Sequence, residues 1–150
     1  MQNNIFFTKQ GLEKVKKEHL ELIEKRKGAV ATLKRAREMG DLSENGLYKA
    51  AKFELGDIDR TLRRLSHFIN NGVIAVKPKG KIGIGSKVTV IEERKKKEFK
   101  IVGDFEANPT ENKISANSPL GKALMDMEKG HAVEIKTPGG KKSYKILTVS

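Results

Sequence analysis

The 150-residue sequence contains no cysteine and no tryptophan. Without cysteine there is no disulfide, no thiol catalysis and no cysteine-ligated zinc, which fits a reducing cytoplasm. Aromatic residues make up only 5% of the chain, which argues against an aromatic-lined ligand pocket and against base-stacking platforms of the single-strand-binding type. The three histidines, His19, His67 and His131, have no metal-ligand spacing. No apolar run approaches the length of a membrane span. The first residues, Met1 to Phe7, show neither a basic leader nor a cleavage site, so a cytoplasmic protein with no membrane partner is expected.

What the chain has in excess is positive charge. Its 31 Lys and Arg against 19 Asp and Glu give a net charge of +12 and a pI near 9.9, which favours a polyanionic partner, nonspecific nucleic acid first among them. Up to Ala75 there are 15 basic and 10 acidic residues, and beyond it 16 and 9, an excess of +5 and +7. Neither half is neutral. An isolated run such as Lys95-Lys96-Lys97 reads as solvated surface.

Two apolar seams with a mean spacing of 3.5 residues run through the first half. Leu12, Val15, His19, Leu22, Arg26, Ala29, Leu33 and Ala36 form one; Tyr48, Ala51, Leu55, Ile58, Leu62, Leu65 and Ile69 form the other. The pattern predicts an antiparallel coiled coil over residues 1–75. Thr8 is a candidate N-cap for a first helix to about Met39, some 45 Å long at about 1.5 Å per residue. Gly28 is an expected weak point and Gly40 a C′ residue. The return helix is expected from Asp41 or Ser43 to about Asn70.

Residues 76–150 change character. Lys77 to Lys81 read as a hinge or loop, followed by β patterns over 86–92, 98–102, 113–116, 131–136 and 142–149, with a short helix opened by Ser118-Pro119. Thr137-Pro138-Gly139-Gly140 predicts a hairpin turn between the last two strands. The fold class is therefore α+β.

Asp41 and Glu44, three apart in the turn between the helices, admit two readings. They form a capping box at the start of the return helix, or they are carboxylates displayed at the end of a rod, hard oxygen ligands suited to Mg²⁺. Both can hold together.

The segment Ala36 to Tyr48, with its Gly40-Asp41-Leu42-Ser43-Glu44-Asn45 turn, resembles the coiled-coil tip of the bacterial transcript-cleavage factors GreA and GreB. Ile114 to Leu124, containing Asn117-Ser118-Pro119-Leu120-Gly121, and Lys136-Thr137-Pro138-Gly139-Gly140 resemble two further blocks of that family, in the same order. The resemblance implies a monomeric transcription elongation factor whose C-terminal domain is an FKBP-like antiparallel β-sheet domain with a short helix. Such factors bind backtracked RNA polymerase, the C-terminal domain at the outer rim of the secondary channel and the coiled coil inside it. They are not enzymes; they stimulate the polymerase's own cleavage of the nascent RNA 3′ end. The family's tip acids match Asp41 and Glu44, which are thereby expected to hold a catalytic Mg²⁺ jointly with the polymerase. Arg37, Ser43, Asn45, Tyr48, Lys49 and Lys52 are expected to contact RNA or polymerase, Tyr48 alternatively packing in the seam.

Gly28 stands where the family commonly has Pro, and Gly130-His131 where Gly-Asp is frequent. The basic composition leans toward GreB, leaving the subtype open. Two competing readings are a channel-binding inhibitor without cleavage activity, disfavoured by the acidic pair, and a prolyl isomerase, disfavoured because only Phe99, Phe105 and Tyr144 are available beyond Ala75.

Overall fold

The computed structural model describes residues 4–40 and 45–150. By its contacts the chain groups into two compact units, Leu12–Gly72 and the residues up to Gly11 together with Val73–Ser150.

The first unit is a helical hairpin of α1 (Lys9–Arg37) and α2 (Gly46–Asn71). The Gly11 N–H donates to Thr8 Oγ1 at 3.0 Å, the N-cap expected of Thr8. Along the seams Leu12, Ala29, Ala36, Ala51, Ile58 and Leu65 are buried. Val15, His19, Leu22, Leu33, Leu55 and Leu62 are half-buried. Two cross-helix bonds set the register: His19 Nε2 meets Ser66 Oγ at 3.0 Å, and Arg26 Nε donates to Asp59 Oδ1 at 2.6 Å. Seven residues forward on α1 correspond to seven back on α2, one heptad in an antiparallel pair. The two polar seam residues thus mark register. The bond from Arg26 holds the Asp59 carboxyl below its usual range, and that carboxylate raises Arg26 in turn. Helix α1 continues through Gly28, whose Cβ position faces open space.

In the second unit, β1 (Ile5–Phe7) pairs with β2 (Gly72–Ile74) in a small sheet. A five-stranded sheet follows, made of β3 (Lys87–Glu92), β4 (Lys95–Val102), β5 (Lys113–Ser115), β6 (Ala132–Thr137) and β7 (Gly140–Val149), in the order β5-β4-β3-β7-β6. The sheet is mixed, correcting the antiparallel expectation: β5 runs parallel to β4. The chain crosses between them through 3₁₀ turns at Asp104–Glu106 and Pro109–Glu111, and this return to the starting end makes the parallel pairing possible.

Alternation turns Val88, Val90, Ile101, Val133, Tyr144 and Ile146 toward one face, where they pack with Ile82 and with Leu124 of α3 (Pro119–Leu124). Ser118 caps α3, its Oγ accepting from Gly121 N at 3.0 Å. The helix ends at Leu124, and Asp126 just beyond it has φ 65°. The predicted β6–β7 hairpin forms with Thr137 opposite Gly140, and the positive φ of 118° falls on Gly140.

The β3–β4 hairpin turns at Glu93 and Arg94, both with positive φ, 49° and 67°. Both signs match a type I′ turn, in which Asn-Gly is favoured. Glu93→Asn with Arg94→Gly is therefore expected to stabilise this unit by about 1 kcal/mol, read as a higher melting temperature.

Glu92 continues the core-facing alternation to the rim of the sheet, its side chain 7% exposed. Lys97 Nζ lies 2.6 Å and Lys142 Nζ 3.5 Å from its oxygens. The hydrogen bond from Lys97 holds the Glu92 carboxyl below its usual range against the opposing effect of burial, and Lys97 is raised in return.

Candidate functional site

The end of the hairpin is built by one amide side chain. Asn45 is the N-cap of α2: its Oδ1 accepts from Tyr48 N at 3.1 Å. Its Nδ2 donates to the Ala36 carbonyl at 2.8 Å, near the end of α1. One residue thus satisfies an orphan donor of one helix and a terminal carbonyl of the other. Met39 N–H also reaches Ala36 O, at 3.2 Å, and Gly40 follows at φ 117°, the positive value expected of a C′ glycine.

This arrangement corrects two expectations. The return helix starts at Gly46, later than Asp41 or Ser43, and the capping position proposed for Asp41 belongs to Asn45. Asn45, expected as an RNA or polymerase contact, is half-buried and engaged with backbone on both sides. Asp41, Ser43 and Glu44 lie outside the described residues. Arg37 is exposed, its guanidinium carbon 6.0 Å from the centre of the half-buried Tyr48 ring, the geometry of a cation–π contact. The structure thus brings together Arg37, Asn45 and Tyr48.

Lys49 and Lys52 are exposed on the first turns of α2. The last turn of α1 carries Lys34, Arg35 and Arg37, and the first turn of α2 carries no acid. Cations suit a helix C-terminus but leave the positive end of the α2 dipole uncompensated by its own first turn. Among the described residues, the last turn of α1 and the first turns of α2 thus carry mainly basic side chains, groups that attract phosphate and carboxylate alike.

Sequence reasoning missed the apolar surface here. Met39 is 67%, Leu47 61% and Phe53 73% exposed, and Met39 and Leu47 border a shallow groove of about 350 Å³ shared with Ala50 and Glu54. Their departure from the seam spacing was the available signal. Such side chains are suited to a protein-lined environment.

Two bonds depend on Asn45, and substitution separates them. Asn45→Asp keeps a capping acceptor but turns an anion toward the Ala36 carbonyl; Asn45→Ala removes both bonds. The expected cost is about 1 kcal/mol for the loss of either bond and about 2 for both, measured by thermal melting of the helical signal.

A second concave region lies wholly within the β-rich unit. It is a groove of about 690 Å³ bordered by Phe6, Val76, Pro78, Phe105, Asn117 and Lys122. Phe6, Val76 and Phe105 are exposed. Phe105 is the only one of the three C-terminal aromatics on this groove; Tyr144 is buried in the core and Phe99 packs against it. Among the described residues no group of three or more His, Asp or Glu side chains is placed to hold a metal ion. No described helix is long and apolar enough to cross a membrane.

Residues 5–74 match the family described as transcription elongation factor, N-terminal, and residues 77–150 the family described as transcription elongation factor, GreA/GreB, C-term. The chain is 40% identical over 152 residues to transcription elongation factor GreA of Mycoplasmopsis pulmonis, covering 99% of this chain and 96% of that protein. It is 40% identical over 149 residues to GreA of Geobacillus kaustophilus, covering 95% and 94%. Among solved structures it is similar to the GreA factor homolog 1 protein of Thermus thermophilus, with 27% identity, 99% of both chains covered and a TM-score of 0.47.

Proposed function

The chain belongs to the GreA/GreB family of transcription elongation factors, and we propose that it enters the secondary channel of backtracked bacterial RNA polymerase and stimulates cleavage of the extruded RNA 3′ end. The observation that carries this reading is the Asn45 bridge. The N-cap position of α2 is held by Asn45, so the capping box that the sequence offers with Asp41 at the N-cap does not describe the start of that helix.

Two carboxylates are hard oxygen ligands of the kind Mg²⁺ takes in small number from one protein source. Two carboxylates are too few to complete the coordination of Mg²⁺ alone, so this donor set fits a shared site and not a self-contained one. Asp41 and Glu44 would hold the ion together with polymerase groups. A magnesium ion bound there supplies activation of the attacking water or stabilisation of the leaving oxygen in two-metal phosphodiester hydrolysis.

The remaining roles belong to this chain's own side chains. Asn45 ties the two helix ends from which the acidic turn departs. Arg37, Lys49 and Lys52 attract the phosphates of the extruded RNA, Arg37 oriented by its contact with Tyr48. The exposed Met39, Leu47 and Phe53 lie against the channel wall. The C-terminal unit docks at the channel rim through the groove beside Phe6, Val76 and Phe105.

The test is a defined, stalled and backtracked transcription complex to which the protein is added. Shortening of the transcript from its 3′ end supports the reading. A transcript left at full length while the protein remains bound shows a channel-blocking inhibitor instead.

A further inference from the structure

The face of the large sheet opposite its core is unusually basic. Because Val88, Val90 and Ile146 turn inward, the register places Lys87 of β3, Lys96 and Lys100 of β4, Lys141 and Lys145 of β7 and Lys136 of β6 on the other side. Across these four strands only Glu98 and Glu134 share that face, leaving six positive charges against two negative. All the lysines but the half-buried Lys100 are exposed.

The arrangement works against the sheet's own stability. Lys87 is directly opposite Lys100, and Lys136 directly opposite Lys141, and like charges in such positions are destabilising. Internal compensation is sparse: Lys141 lies 3.8 Å from Glu134, and Lys100 donates to Gln10. Among the described residues Lys87, Lys96, Lys136 and Lys145 have no acidic partner. Ile91 sits between Lys96 and Lys145 as the direct neighbour of both. Their strands are therefore about 9.6 Å apart, two interstrand spacings, so the charges form a two-dimensional array and not a single file.

We propose that this face binds the phosphodiester backbone of duplex DNA without sequence preference. Charge complementarity selects a polyanion. The absence of aromatics selects among polyanions, since Phe99 and Tyr144 turn to the core; single strands are held by base stacking, whereas a duplex presents its phosphates outward. A lipid surface would find no exposed large apolar side chain here to insert. This inference goes beyond the cleavage reading, and it is tested without polymerase.

The experiment is fluorescence anisotropy of the full chain with a short DNA duplex of random sequence over a range of salt concentrations. The expected dissociation constant is about 10⁻⁴ to 10⁻⁶ M near physiological salt, weakening as salt rises. In Lys96→Glu/Lys145→Glu the affinity is expected to fall at least tenfold, and in Lys96→Gln/Lys145→Gln the salt slope by about 1.8, with unchanged melting temperature in the neutral variant. Lys49→Glu/Lys52→Glu, on the helical arm, should retain sheet-dependent binding. The proposal is overturned if wild type fails to bind duplex at low salt, or if both sheet variants bind as wild type does. It is equally overturned if single-stranded DNA or vesicles containing phosphatidylserine are preferred to duplex.

Discussion

Asp41→Ala and Glu44→Ala are each expected to lower stimulated transcript cleavage on the order of a hundredfold, the scale on which loss of a metal-site group acts, while polymerase binding stays close to that of wild type. The separation of the two effects is the informative part. If the acids served mainly as caps, their removal would cost about 0.5 to 2 kcal/mol of helix stability and activity would fall only in step with lost helicity. With Asn45 at the N-cap, the helical signal should be nearly unchanged in both variants. Cleavage is read on a backtracked complex, binding by competition with labelled wild type, and helicity by circular dichroism. Asp41→Asn adds a control, since it keeps side-chain size while removing the charge and one of the two carboxylate oxygens.

Gly121→Ala is expected to produce a large loss of stability. Gly121 lies in the first turn of α3, where a Cβ would collide with the Ser115 carbonyl and come within 3.0 Å of the Ala116 Cα. Backbone, not a flexible side-chain tip, occupies the space. That backbone is held in place: Ser118 N and Oγ both donate to Ser115 O, at 3.0 and 2.7 Å, and Lys122 N donates to Ser118 O at 2.8 Å. Relief of the clash requires moving β5 against α3, at a cost of about 3 kcal/mol. The β-rich unit should then melt on the order of 15 °C lower. Gly28→Ala is the matched contrast. Its Cβ meets open space in mid-helix, and it should stabilise α1 by about 1 kcal/mol.

Much of the fold was legible where a local period repeats. The seam residues of both helices carry the burial expected of them, and Arg26, an odd member of an apolar row, is explained by Asp59 across the hairpin. Alternation of Val88 with Val90 and the Pro138-Gly139-Gly140 turn located β3, β6 and β7 for the same reason. Elements made by distant pairing were not legible. Strand β1 is an apolar triplet that becomes a strand because β2, more than sixty residues away, pairs with it. The parallel pairing of β5 depends on the path of the crossover. The start of β4 was hidden because Lys95-Lys96-Lys97 resembles solvated surface and Glu93-Arg94 lacks the residues that favour its turn.

The start of α2 shows most clearly where a local rule loses its power. Asp41, Ser43 and Asn45 are all good capping residues. Only Asn45 combines an acceptor for Tyr48 N with a donor for the Ala36 carbonyl, and that choice is made by the neighbouring helix. The functional reading of Asp41 and Glu44 came from resemblance to a family tip; their spacing alone favours capping.

The central claim is that the acidic turn completes a metal site which the polymerase holds only in part. It is tested most directly by titrating Mg²⁺ in the cleavage reaction of a backtracked complex with wild-type protein, with Asp41→Asn and with no factor. The account predicts that wild type lowers the Mg²⁺ concentration needed for half-maximal cleavage and that Asp41→Asn returns it to the factor-free value. An unchanged Mg²⁺ requirement in all three, with only the maximal rate differing, would contradict it.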